Sequence, residues 1–124
     1  MNTAVANPSV GAPWPWHYRA LSRLRDALVR EREEREAALR SMVVEPGGDF
    51  ADVAETQNER RELVAELTME QAELAEVEAA LDRIRGGTYG VCAITGEPIP
   101  AERLRAVPWT RYASPLLAAS AARA

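Results

Sequence analysis

The side chains able to do chemistry are few and lie far apart. The chain has one cysteine, Cys92, and one histidine, His17. Two aspartates, Asp49 and Asp52, stand three residues apart directly after a Pro-Gly-Gly run at 46–48. Cys92 sits in GGTYGVCAITGEPIP, residues 86–100, a stretch full of turn residues. A loop of this texture is commonly stapled, most often by a metal. Structural zinc needs about four thiolate or imidazole ligands in tetrahedral array, and Cys92 with His17 makes two, from distant segments. A lone cysteine closes no internal disulfide either. Nothing near Cys92 in sequence marks it as a nucleophile of depressed pKa, so it is read as a buried side chain, and His17 is assigned no role. The chain offers no nucleophile–base pair, no phosphate-cradling loop and no carboxylate pair of a pocket, so it is read as a non-enzyme.

The two aspartates belong to the start of a helix. Asp49 suits the N-cap and Asp52 then falls at the third helical position, where both carboxylates complement the positive end of the helix dipole. The helix they open carries Leu63, Leu67, Leu74, Val77, Leu81 and Ile84 at spacings of 4, 7, 3, 4 and 3. That is a heptad stripe, and the glycines at 86–87 end it. An earlier helical pattern begins at Trp14, Trp16, His17 and Tyr18. It continues through Leu21, Leu24 and Leu28 and resumes at Leu39 and Met42. Between them EREERE, residues 31–36, is polar all round, held helical by Glu31–Arg35 and Glu36–Arg40 pairs at i,i+4. The stripe therefore lacks an apolar residue there. EPGGD at 45–49 makes a turn between the two helices.

Two such helices joined by a tight turn pack antiparallel. Each is roughly 40–50 Å long at about 1.5 Å per residue. The expected architecture is mainly α: a long antiparallel coiled-coil hairpin over 14–86 with its tip at about 45–54. A small globule over 87–124 follows, and residues 1–13 form a disordered lead-in. Residues 88–108 show no helical period and suggest two short strands or an irregular knuckle. Ser114 before Pro115 predicts a short terminal helix over 115–123, with serine as cap and proline at the first position.

Composition narrows the function. With 124 residues the chain is one domain or less. Its net charge is −4, and its 15 basic residues, all arginine, are interleaved with acids. General affinity for nucleic-acid phosphates is not expected from that balance. No apolar run approaches the roughly 18 residues of a membrane span, and no signal peptide starts the chain. A cytoplasmic location follows.

The hairpin pattern followed by ALDRIRGGTYGVCAITGEPIPAERLRAVP resembles the DksA/TraR family of RNA polymerase regulators. The resemblance rests on Ala80, Leu81, Arg83, Ile84, Gly87, Tyr89, Gly90, Cys92, Gly96, Glu97, Ile99, Arg103, Leu104, Ala106 and Pro108. DFADVA at 49–54 also fits the family's Asp-x-x-Asp-x-Ala tip, with Asp49, Asp52 and Ala54 in the three fixed places. The resemblance implies a regulator that binds RNA polymerase directly and enters its secondary channel. There the tip acids would alter the lifetime of promoter complexes, with no sequence-specific DNA contact and no membrane. A monomer suits that action. The family's four-cysteine zinc site maps here onto Cys92, Thr95, Ala113 and Leu116, so three of four ligands are replaced and zinc is not expected. In its place Val91, Ile94, Ile99, Leu104, Val107, Trp109, Tyr112, Ala113 and Leu116 are expected to form an apolar mini-core. No ppGpp-contacting residue is carried over, and co-regulation by ppGpp stays open. The rival reading is a non-catalytic coiled-coil adaptor or dimerisation protein that has lost the polymerase function.

Overall fold

A computed structural model describes residues 13–42 and 48–123. The expected lead-in, but for Pro13, and most of the 45–49 turn lie outside the described residues. The elements are α1 (Pro15–Ser41), α2 (Phe50–Gly86), α3 (Ala101–Ala106) and α4 (Pro115–Arg123). α1 and α2 form the expected coiled-coil hairpin. None of the described helices is long and apolar enough to cross a membrane. The chain divides into two compact units, one of residues 1–25 with 76–124, the other of residues 26–75.

Each helix end has a local cause. Pro15 occupies the first position of α1, where its missing N–H costs nothing, and the Trp14 carbonyl accepts from the Tyr18 N–H at 2.9 Å. α2 closes in a Schellman motif. The Thr88 N–H donates to the Arg83 carbonyl at 2.9 Å and the Gly87 N–H to that of Ile84 at 3.3 Å. Gly87 sits at φ 82°, a left-handed conformation that glycine adopts without penalty. α4 starts as expected, the Leu117 N–H donating to Ser114 Oγ at 3.2 Å.

The larger unit has its core on the stripe. Leu21, Val77, Ala80, Leu81 and Ile84 are buried, and with them Tyr89, Cys92, Ile99 and Leu104. Sequence periodicity missed α3. Residues 101–106 are a single helical hydrogen-bonded turn and a half, too short to show a period, and only Leu104 of the six is buried. The two short strands do not form either. Among the described residues there is one isolated antiparallel bridge, Val91 with Pro98. Proline lacks the N–H that a longer ladder would need.

The smaller unit explains the polar stretch at 31–36. Leu21, Leu28, Arg35 and Met42 follow one another at intervals of seven, as do Leu63, Glu70, Val77 and Ile84. Arg35 and Glu70 thus hold stripe positions, and they are bonded to each other across the hairpin. Arg35 also reaches Glu66 at 3.5 Å. Glu70 is only 12% exposed, and the bond to Glu70 is the first cause of a raised Arg35 pKa. A polar pair in an otherwise apolar seam fixes register at a cost in stability.

Thermal melts test this. Arg35→Leu strands the Glu70 carboxylate and is expected to lower Tm by roughly 5 °C or more. Arg35→Leu with Glu70→Leu is expected to melt at or above the wild-type temperature. Wild-type melting of the single variant would refute the pairing.

Candidate functional site

The tip acids lie in the smaller unit. The Asp52 N–H donates to Asp49 Oδ1 at 2.8 Å, and the Val53 N–H donates to the Asp49 carbonyl at 3.1 Å. Asp49 is therefore the N-cap of α2, with Asp52 at the third position. Both residues are exposed, and Ala54 is half-buried. Between the acids Phe50 is 90% exposed. Capping uses one oxygen of Asp49, so the structural and functional readings of this residue are compatible. The first turn of α2 presents an aromatic ring flanked by two carboxylates.

The loop that carries Cys92 lies in the larger unit. Residues 90–99 form a tight knuckle. The Cys92 N–H donates to the Glu97 carbonyl at 2.8 Å, Gly96 N–H to the Cys92 carbonyl at 2.9 Å, and Ile99 N–H to the Gly90 carbonyl at 2.8 Å. Gly90 has φ 85°, and a Cβ there would come within 2.9 Å of the Trp14 ring, so both backbone and space demand glycine. Cys92 is buried. Its sulfur is a hydrogen-bond acceptor. The Thr95 hydroxyl and N–H and the Ile94 and Ala113 N–H groups face it and bring the thiol down to about 7, against the opposing effect of burial. The Ala113 bond is 3.4 Å long.

The four mapped positions are thus brought together only in part. Cys92, Thr95 and Ala113 meet, but Ala113 offers a backbone N–H and no ligand. Leu116 is 75% exposed. Among the described residues no group of three or more His, Cys, Asp or Glu side chains could hold a metal ion. One thiol and one hydroxyl do not fit tetrahedral zinc.

The expected apolar mini-core needs correction. Ile99 and Leu104 are buried, but Val91, Ile94 and Leu116 are 46%, 50% and 75% exposed. Adjacent side chains of an extended backbone point to opposite sides, so burying Cys92 turns Val91 outward. Polar groups also bind this segment. Tyr89 donates its hydroxyl to the Pro108 carbonyl at 2.7 Å, and burial pushes its pKa up to about 12. Arg83 and Arg103 donate to residues 109–112, and Arg111, itself in that segment, donates to Glu76 of α2.

His17 was assigned no role in the sequence. It packs in an aromatic cluster, its ring centroid 5.2 Å from Trp14, 4.9 Å from Trp16 and 5.8 Å from Tyr89. Its Nε2 is buried without a hydrogen-bond partner. Arg105 lies over the Trp16 ring at 4.6 Å. Burial first, and the charge of Arg105 second, hold the His17 pKa below its usual 6.5.

Hairpin, acidic cap and finger-like knuckle together define a zinc-finger-type hairpin protein whose finger has one thiol. The family described as Prokaryotic dksA/traR C4-type zinc finger matches residues 87–112. The structure is similar to that of transcription factor DksA2 from Pseudomonas aeruginosa. The TM-score is 0.73 at 30% identity, over 87% of this chain and 82% of that one. The RNA polymerase-binding transcription factor DksA of Caulobacter vibrioides is 31% identical over 84 residues, 68% of this chain and 58% of that protein. An uncharacterised protein of Aquifex aeolicus is 42% identical over 83 residues, 66% of this chain and 56% of that protein. The chain belongs to the DksA/TraR family. It spans little more than half the length of these last two relatives.

Two titrations follow from the geometry. The unfolded chain protonates His17 near 6.5 and the folded one only at lower pH. Stability is therefore full above pH 6.5 and declines as pH falls through the folded value. The Tm measured between pH 7.5 and roughly 5.5 is expected to fall at the acid end, and His17→Phe to flatten the profile. Thr95→Val removes the first donor to Cys92. Its thiolate ultraviolet absorbance is then expected to appear at clearly higher pH than in the wild type, with no change if the hydroxyl does not face the sulfur.

Proposed function

We propose that this chain is a non-catalytic transcription regulator that binds RNA polymerase directly. In this reading the tip of the hairpin, at about 45–54, enters the polymerase secondary channel, where Asp49, Asp52 and Ala54 act near the catalytic centre. The acids work by electrostatics and by contact with mobile elements. They change the lifetime of promoter complexes and turn over no substrate. The observation that carries the reading is the exposed, capped first turn of α2, in which two carboxylates flank Phe50. Family membership supports it, as does the Caulobacter relative, an RNA polymerase-binding transcription factor. The reading includes a monomeric protein acting in the cytoplasm, with no sequence-specific DNA contact and no metal in the 87–124 globule. It assigns no residue to ppGpp.

Charge and cap are separable at Asp49, because asparagine caps a helix about as well as aspartate while alanine costs about 1 kcal/mol. Asp49→Asn with Asp52→Asn should therefore fold normally and co-purify with RNA polymerase. Its effect on promoter transcription should be strongly weakened. Regulation at the wild-type level by this double variant would remove the tip from the mechanism, and loss of co-purification with both the double variant and the wild type would remove the polymerase.

A further inference from the structure

The segment after α3 must return to the Cys92 thiol, yet the positions where ligands would draw it there carry Ala113 and Leu116. We propose that an arginine clamp does the fastening in this body that a tetrahedral ion does in a four-cysteine finger. Its members are Arg83 of α2, Arg103 of α3 and Arg111 of the returning segment itself.

Each guanidinium comes from a different place: two hold the returning segment and the third ties it to α2. Arg83 donates to the carbonyls of Trp109 at 3.2 Å and Thr110 at 3.4 Å. Arg103 donates through Nε to the Tyr112 carbonyl at 3.0 Å and through a terminal nitrogen to Thr110 Oγ1 at 3.5 Å. Arg111 points back to α2 and grips both oxygens of Glu76, at 2.8 and 3.3 Å. Thr110, the one buried polar residue among those described, completes the turn by bonding to both the carbonyl and the N–H of Tyr112 at 3.2 Å.

The clamp delivers the returning segment to the knuckle. The Arg111 carbonyl accepts from the Ala93 N–H at 2.7 Å, and the Ala113 N–H donates to Cys92 Sγ at 3.4 Å. These contacts tie together the segments that a metal would cross-link. The thiol takes part as an acceptor alone.

Chemistry explains the choice of residue. A guanidinium carries five donors in a rigid fork and stays charged, so it can hold two carbonyls or a whole carboxylate. An ammonium is a point charge and cannot reproduce the fork. Arg83 is half-buried, and burial first and Arg111 second pull its pKa down. Its donors are taken up by backbone carbonyls, and the charge of Glu76 acts against the burial.

The test uses the full chain. Purified protein is expected to hold no stoichiometric zinc and to melt at the same temperature with and without EDTA. Arg83→Lys, Arg103→Lys and Arg111→Lys keep the charge and lose the fork. Each is expected to lower Tm by roughly 5 °C and to speed amide exchange at Ala93 and Ala113, leaving exchange within 26–75 unchanged. The amide readout serves even where a variant is too unstable for a clean melt. Thr95→Cys, Ala113→Cys and Leu116→Cys are then introduced together into the Arg83→Lys, Arg111→Lys background. This chain is expected to take up one zinc, recover the lost Tm, and lose it again in EDTA. Melting of the wild type by chelator overturns the proposal. So do lysine variants that melt and exchange like the wild type, and a cysteine-restored chain that takes up no zinc or gains no stability from it.

Discussion

A seven-residue seam through both long helices is the constraint on which the rest depends. A stripe that repeats every seven residues keeps one face of each helix toward its partner. Here the stripe is apolar where the helices meet the C-terminal body. Leu21, Val77, Ala80, Leu81 and Ile84 are all at most 5% exposed. Each fully buried aliphatic side chain of this size contributes about 1.5–3 kcal/mol, so this seam is the main apolar source of stability in the larger unit. Tyr89, Ile99 and Leu104 join the same core, which brings α3 and the knuckle onto α2.

In the smaller unit the seam changes character. Leu28 and Leu74 are buried, and then Arg35 meets Glu70 and Glu66. An apolar stripe alone tolerates sliding by a heptad, because leucine packs against leucine in either register. A charged pair does not, since one step of slippage leaves Glu70 without its partner in a place where it is mostly hidden from water. Asp49 and Asp52 share this unit with the Arg35–Glu70 pair. The Asp49 cap then fixes the orientation of the first turn of α2, with Asp52 held by its own N–H on the cap.

What could be read from the sequence follows from the range of the interactions involved. The helices, the glycine stop at 86–87, the Asp49 cap and the Ser114–Pro115 start are encoded by neighbours within a turn, and all of them formed. The α3 helix escaped because six residues span less than two turns and leave no periodic trace. The Arg35–Glu70 layer was visible in the seven-residue spacing, but reading EREERE as polar all round and held by pairs within its own helix hid it. The contacts of Arg83, Arg103 and Arg111 bridge 7 to 35 residues of sequence, and no local rule pairs a guanidinium with a distant carbonyl. Expecting apolar residues to fill the finger failed for a related reason. A knuckle this small has little interior, so alternation sends Val91 outward when Cys92 turns in.

The knuckle itself shows why one thiol is enough to keep its shape. Its closing bonds run from backbone to backbone, from Cys92 to Glu97 and from Gly96 to Cys92, and none of them needs a metal. The N–H and hydroxyl groups aimed at the sulfur favour the thiolate over the thiol, since hydrogen bonds to the charged form stabilise it. A metal ion would act at longer range, joining this loop to the strand that carries Ala113. That link is the part carried by guanidinium groups, whose acceptors are the carbonyls of residues 109, 110 and 112, the Thr110 hydroxyl and the Glu76 carboxylate. Thr95, Ala113 and Leu116 therefore leave the local turn to its backbone bonds, and the long-range contact rests on a different chemistry.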